Sequence, residues 1–177
     1  MYPFGHIGIG IHLLPRSLRV RLPWRWMVFG CLLPDLLDKP LWLATQWFTG
    51  AHSSLFATPR NFGHSVFLAL ALALAATAMR TPWIRALACA VPTHLLLDVV
   101  TDYGLGGRGA WLTWLFWPLR IPLVMTSTPT PVRDFASEAT SVVCLAGELI
   151  GAALLLRHLA QRRREKARIP IQSDADS

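Results

Sequence analysis

Apolar runs dominate this chain, and the polar residues between them mark out its elements. Residues 4–14 form a short apolar stretch holding His6 and His12. At about 1.5 Å per residue it predicts a helix too short to cross a bilayer. Residues 15–25 are a basic connector. Residues 26–48 are long enough to cross, but Pro34, Asp35, Asp38 and Pro40 fall in the middle. Two missing helix hydrogen bonds and two carboxylates predict a broken helix, tolerated where it lines a cavity. Residues 62–79, rich in Ala and Leu, predict the cleanest span, with His64 and Ser65 in its first turn. After the basic turn Arg80-Thr81-Pro82, residues 83–101 predict the next span, kinked at Pro92. Residues 102–120 pair four glycines with an aromatic run from Trp111 to Trp117, the pattern of a loop and then an interfacial or re-entrant segment. A Thr/Pro-rich connector leads to a last span over residues 135–159, with Glu148 near its centre.

The pattern predicts an all-α integral membrane helical bundle of about four spanning helices, plus short N-terminal and interfacial helices. Residues 1–160 read as one embedded domain and residues 161–177 as a charged, disordered tail. Composition agrees. Hydrophobic residues make up 53% of the chain, charged residues 15%, and mean hydropathy is +0.41. A soluble domain carries about 25% charged residues. The net charge of +7 gathers in residues 16–25 and 157–168, where it reads as anchors facing anionic lipid. With no soluble domain to form a groove, nucleic acid is not an expected partner. Cys31, Cys89 and Cys144 are far apart and read as small core residues. The first fifteen residues lack the basic start and cleavage site of a signal peptide, so they are expected to stay in the mature protein. The positive-inside rule puts both basic clusters in the cytoplasm, with a multi-pass chain and a cytoplasmic C-terminus.

The chemistry centres on residues 91–104. His94, Asp98 and Asp102 recur every four residues, so each lies about 40° round a helix from the one before. An imidazole and two carboxylates thus share one face of an otherwise apolar helix. Burying them is costly without a partner. A divalent metal, Zn above all, suits that donor set. The alternative is a stripe that only hydrogen-bonds to another helix. His6, Asp35, Asp38, His64, His94 and Asp98 are the candidate metal ligands, because nearly every ionisable group within the apolar runs belongs to this set. Asp35, Asp38, Arg60 and Glu148 are the candidate catalytic residues. Glu148 is read as a general base, a partner to a ligand, or a helix-packing hydrogen bond. No phosphate loop, dinucleotide fingerprint or nucleophile elbow is present.

Four blocks resemble the YdjM-like family of bacterial inner-membrane, metal-dependent hydrolases. They are Gly5-His6-Ile7-Gly8, then Gly30 to Asp38 as Gly-x-x-x-Pro-Asp-x-x-Asp, then Pro59 to Ser65, then His94-x-x-x-Asp98 with Tyr103-Gly104 and Trp117-Pro118. The third block departs from the family's His-Arg-Gly-x-Thr-His-Ser, with Pro59, Asn61 and Gly63 in place of its first His, its Gly and its Thr. His52 is the residue at hand to replace that first His. The resemblance implies a bacterial inner-membrane protein with a divalent-metal site and hydrolase activity. From the residues, Arg60 would orient an anionic substrate, a phosphoester or a lipid head group. The expected partners are membrane lipid and a small-molecule or lipid substrate. The rival reading is a non-catalytic membrane protein that uses the same cluster as a structural metal site or an ion path.

Overall fold

The computed structural model describes residues 3–49, 59–106, 113–119 and 142–168. Among them the chain is all-helical. The elements are α1 (Pro3–Leu13), α2 (Arg16–Arg21), α3 (Trp24–Thr49), α4 (Val66–Met79), α5 (Pro82–Gly106), a 3-10 turn (Thr113–Phe116) and α6 (Val142–Arg168). Two stretches are long and apolar enough to cross a membrane, Pro82–Asp102 with 21 residues and Val142–Arg164 with 23. α4 has 14 residues, about 21 Å of helix. α3 has the length, at 26 residues, but carries Arg25, Asp35, Asp38 and Lys39.

Several boundaries differ from the sequence expectation, each for a local reason. α3 runs unbroken through Pro34 and Pro40. In the turn before Pro34, the Cys31 carbonyl accepts a hydrogen bond from His94 on α5. α4 begins at Val66 rather than at residue 62, because Ser65 caps it by accepting from the Leu68 amide at 3.3 Å. The residues before it are bent around Asp38 instead. α4 stops where Arg80 turns left-handed at φ 52, and Pro82 then opens α5. The basic connector contains α2, and α6 stays helical through Arg168 instead of ending in an unstructured tail near Arg162. The predicted connector at 122–131 and the start of the last span at 135 lie outside the described residues.

α3 and α5 form the centre of the bundle. Ile7, Ile11, Leu14, Leu22, Met27, Cys31, Ala86 and Ala90 make a core joining α1, α3 and α5. Val91, Leu95 and Trp114 make a second one, flanked by Leu72 of α4. α1 lies along α6, and there packing rather than hydrophobic expulsion must hold the helices, since lipid is as apolar as they are. Glycines permit it. A Cβ added at Gly8 would overlap the Gly151 carbonyl, and one at Gly151 would overlap the Phe4 carbonyl. Glu148, one turn before Gly151, accepts from the free amides of Phe4 (2.9 Å) and Gly5 (2.7 Å) at the start of α1. This pair of contacts fixes how α1 carries His6 into the bundle.

Candidate metal centre

Side chains from α1, α3, α5 and the turn before α4 meet inside the bundle. His6, His64, His94 and Asp98 are all buried, and Asp35 is half-buried. The periodicity of α5 explains two of them, His94 and Asp98, one turn apart on the face that meets α1 and α3. The turn before α4 explains the third. The Asn61, Gly63 and His64 amides all donate to Asp38, at 2.6, 2.8 and 3.1 Å. Such a wrap cannot be helical, and it swings the His64 ring inward. Gly63 lacks the room for a side chain, since a Cβ there would sit 2.5 Å from the Pro34 carbonyl oxygen and 3.1 Å from Asp38 Cγ.

Hydrogen bonding assigns the ring nitrogens. His94 Nδ1 lies 2.6 Å from the Cys31 carbonyl, which can only accept, so Nδ1 carries the proton. His64 Nδ1 donates likewise to Asp38 Oδ2 at 2.8 Å. Both rings, when neutral, therefore aim bare Nε2 lone pairs into the cluster. These two nitrogens are 3.3 Å apart. His64 Nε2 is also 3.3 Å from Asp98 Oδ2 and 3.3 Å from Asp35 Oδ1, and His94 Nε2 is 3.5 Å from Asp98 Oδ2. His6 stacks on His94 with centroids 3.9 Å apart, and its Nε2 lies 3.4 Å from Asp98 Oδ1. His6 Nδ1 is buried with no partner among the described residues.

The distances decide what can occupy this centre. With both rings neutral, two lone pairs face each other and two carboxylates, a donor set able to hold a cation. A proton bridge of the charge-assisted kind would draw the heavy atoms to about 2.7–2.9 Å. A tetrahedral ion with ligands at about 2.0–2.1 Å spaces them roughly 3.3–3.4 Å apart. The spacing of 3.3–3.5 Å is one that such an ion would fit. Charge agrees with it. Asp35, Asp38, Asp98 and Asp102 bring four negative charges to this region, and Lys39 and Arg60 bring two positive ones. With all three histidines neutral, a divalent cation bound here would balance the difference. Two donor sets, His6 with His94 and Asp98, and Asp35 with His64 and His94, converge closely enough to hold an ion. They share His94, so they are parts of one centre.

The other expected residues fall around this centre. Asp38 does not join either donor set. Its oxygens are taken by three amides and the His64 ring, so it holds that ring in its orientation. Asp35 turns one oxygen to Lys39 at 2.7 Å and the other to His64. Arg60 sits beside Asp98 at 3.4 Å and binds Asp102 through Nη1 at 2.6 and 2.7 Å. Its guanidinium also lies 5.4 Å from the Trp114 ring centroid, and Trp114 Nε1 donates to Asp102 at 3.1 Å. The guanidinium thus already holds two carboxylates. Glu148 stands at the start of α1, and no contact among the described residues links it to the cluster. His52 lies outside the described residues.

Sequence reasoning missed the Cys31 carbonyl, the amide wrap around Asp38 and the Arg60–Asp102–Trp114 group. Backbone acceptors leave no trace in residue type. The turn did leave one, in Gly63 next to His64. No curated protein and no solved structure matches this chain. The model of the YdjM inner membrane protein family matches residues 1–165. A helical chain with apolar spans and a buried His/Asp centre, matched over nearly its whole length, belongs to the YdjM inner membrane protein family.

Proposed function

We propose that this protein is a membrane-embedded, metal-dependent hydrolase acting on a phosphoester of a lipid-like substrate. One observation carries the reading: two buried imidazoles, each tied at Nδ1 to an acceptor, turn their Nε2 atoms toward each other at 3.3 Å, beside the Asp98 carboxylate. His64, His94 and Asp98 would hold the ion, with Asp35 and His6 completing the set. Zn²⁺ fits a nitrogen-rich set of this kind. Bound there, it would lower the pKa of a coordinated water to about 7 and polarise a phosphoryl oxygen. Asp38 holds the His64 tautomer, and the Cys31 carbonyl holds that of His94. Arg60 keeps Asp98 in place and is itself held by Asp102.

Helix length sets the depth of the centre. Trp24 and Asp35 are eleven residues apart on α3, and Trp83 and His94 eleven apart on α5. That is about 16 Å of helix, half of a hydrocarbon core about 30 Å thick. With these tryptophans at one interface, the centre lies near the membrane middle, and its mouth opens on the side away from the arginines. In this layout α3, α4, α5 and α6 all cross, and the C-terminus lies in the cytoplasm.

The test is metal content of detergent-purified protein, followed by phosphodiesterase, phosphomonoesterase and lipase assays with chelator and with zinc restored. Chelator-sensitive hydrolysis that Asp98→Ala abolishes is the expected result. Stoichiometric metal with no hydrolysis of any of these substrates would point to a structural metal site instead. Protein without metal would end both readings.

A further inference from the structure

The other end of the bundle carries charge of the opposite sign. α2 presents Arg16, Arg19 and Arg21, and α6 closes with Arg162, Arg163 and Arg164 ahead of its last residues. Trp24 joins these two groups. Its ring stacks on His158 of α6, with centroids 4.2 Å apart and planes 13° from parallel. The Arg162 guanidinium lies over the same ring, 5.3 Å from its centroid. Leu18 of α2 and Leu155 of α6 pack on one shared core. Trp24, three residues after Arg21, thus brings Arg162 of α6 to the end of the bundle that carries α2.

None of these six arginines forms an ion pair among the described residues. The described aspartates serve the metal centre, and Glu148 serves the start of α1. Arg19 Nε is buried yet has no acceptor among the described residues. A buried donor without an acceptor is costly, so a ligand that brings acceptor oxygens would relieve it. The surroundings say what kind of ligand. Trp26 and Trp83 pair at 5.3 Å and are 40% and 39% exposed, as ring pairs at the head-group level of a membrane are. Val20, beside Arg19 and Arg21, is 77% exposed, and Leu13, at the end of α1, is 48% exposed. A free anion gains nothing from these apolar neighbours, whereas a lipid gains from both.

We propose that the junction of Arg19, Trp24 and Arg162 binds the phosphate of an anionic phospholipid head group, whose chains lie along the exposed apolar residues beside it. The site depends on the membrane setting of the family and not on the metal centre. It is tested on the full chain in neutral detergent, by thermal shift with added phosphatidylglycerol, phosphatidylcholine or inorganic phosphate. Phosphatidylglycerol should raise the melting temperature saturably, and the other two should not. Arg19→Gln with Arg162→Gln should weaken phosphatidylglycerol binding roughly 30-fold. Salt at about 0.5 M should weaken it in the unaltered protein, a measurement that needs no folded variant. An equal shift with phosphatidylcholine would overturn the proposal, as would an equal shift with inorganic phosphate, which would make the ligand a free anion. Unchanged binding by a folded double variant, or binding indifferent to salt, would overturn it too.

Discussion

Asp38→Asn separates a residue that orients a ligand from one that binds metal. Asp38 Oδ2 accepts from the Asn61 amide, the His64 amide and His64 Nδ1, and Oδ1 accepts from the Gly63 amide. The asparagine oxygen will take the Oδ2 position, since its NH2 group there would face three donors. The NH2 group then meets the Gly63 amide and leaves that donor without an acceptor. One buried orphan of this kind costs about 1–3 kcal/mol of stability. His64 keeps its tautomer but loses a charged acceptor, and loss of such support weakens metal affinity about 10- to 100-fold. That is about 1.4–2.7 kcal/mol. The assay is competitive titration of the purified variant with a zinc chelator, beside Asp98→Ala and His64→Ala. Those two should lose bound metal altogether, whereas Asp38→Asn should keep it with reduced affinity. Complete loss in Asp38→Asn in a folded protein would make Asp38 a ligand. Unchanged affinity would show that the His64–Asp38 bond does not matter to the ion. Either result refutes the role given to it here.

Glu148→Ala should cost about 1–2 kcal/mol by removing the cap on α1, and leave metal content unchanged; loss of metal with the fold intact would return Glu148 to the centre itself. Gly8→Val should drive α1 away from Gly151, lowering the melting temperature and weakening metal binding through His6; a variant as stable as the parent would contradict the close crossing. Metal occupancy should fall as pH drops toward about 5, because imidazole and carboxylate bind metal only when deprotonated; occupancy that stays flat in that range, measured after equilibrium dialysis, would speak against histidine ligation. A reporter fused after Ser177 should be active in the cytoplasm, and activity only on the far side would reverse the topology.

Much of this protein is legible in its residues taken one after another. The apolar runs, poor in charge, dictate helices in lipid, because no other open structure satisfies its own backbone there. The four-residue recurrence of His94 and Asp98 dictates a shared face, because a helix turns by a fixed angle per residue. The rarity of ionisable groups in those runs picks out His6, Asp35, Asp38 and His64 as their partners. What each group does there depends on contacts far along the chain. Asp35 and Asp38 look alike in sequence, three residues apart on α3. Only packing turns the first to the cluster and encloses the second in the amides of residues 61–64. Glu148 looked like a buried acid in search of chemistry, and the docking of α1 on Gly151 gave it two amides to cap. Arg60 looked like a hand for substrate, and the fold gave it Asp98 and Asp102. Local sequence sets periodicity and the cost of burial. Which partner meets that cost is settled when the helices pack, since a hydrogen bond across 144 residues depends on geometry that no neighbouring residue encodes.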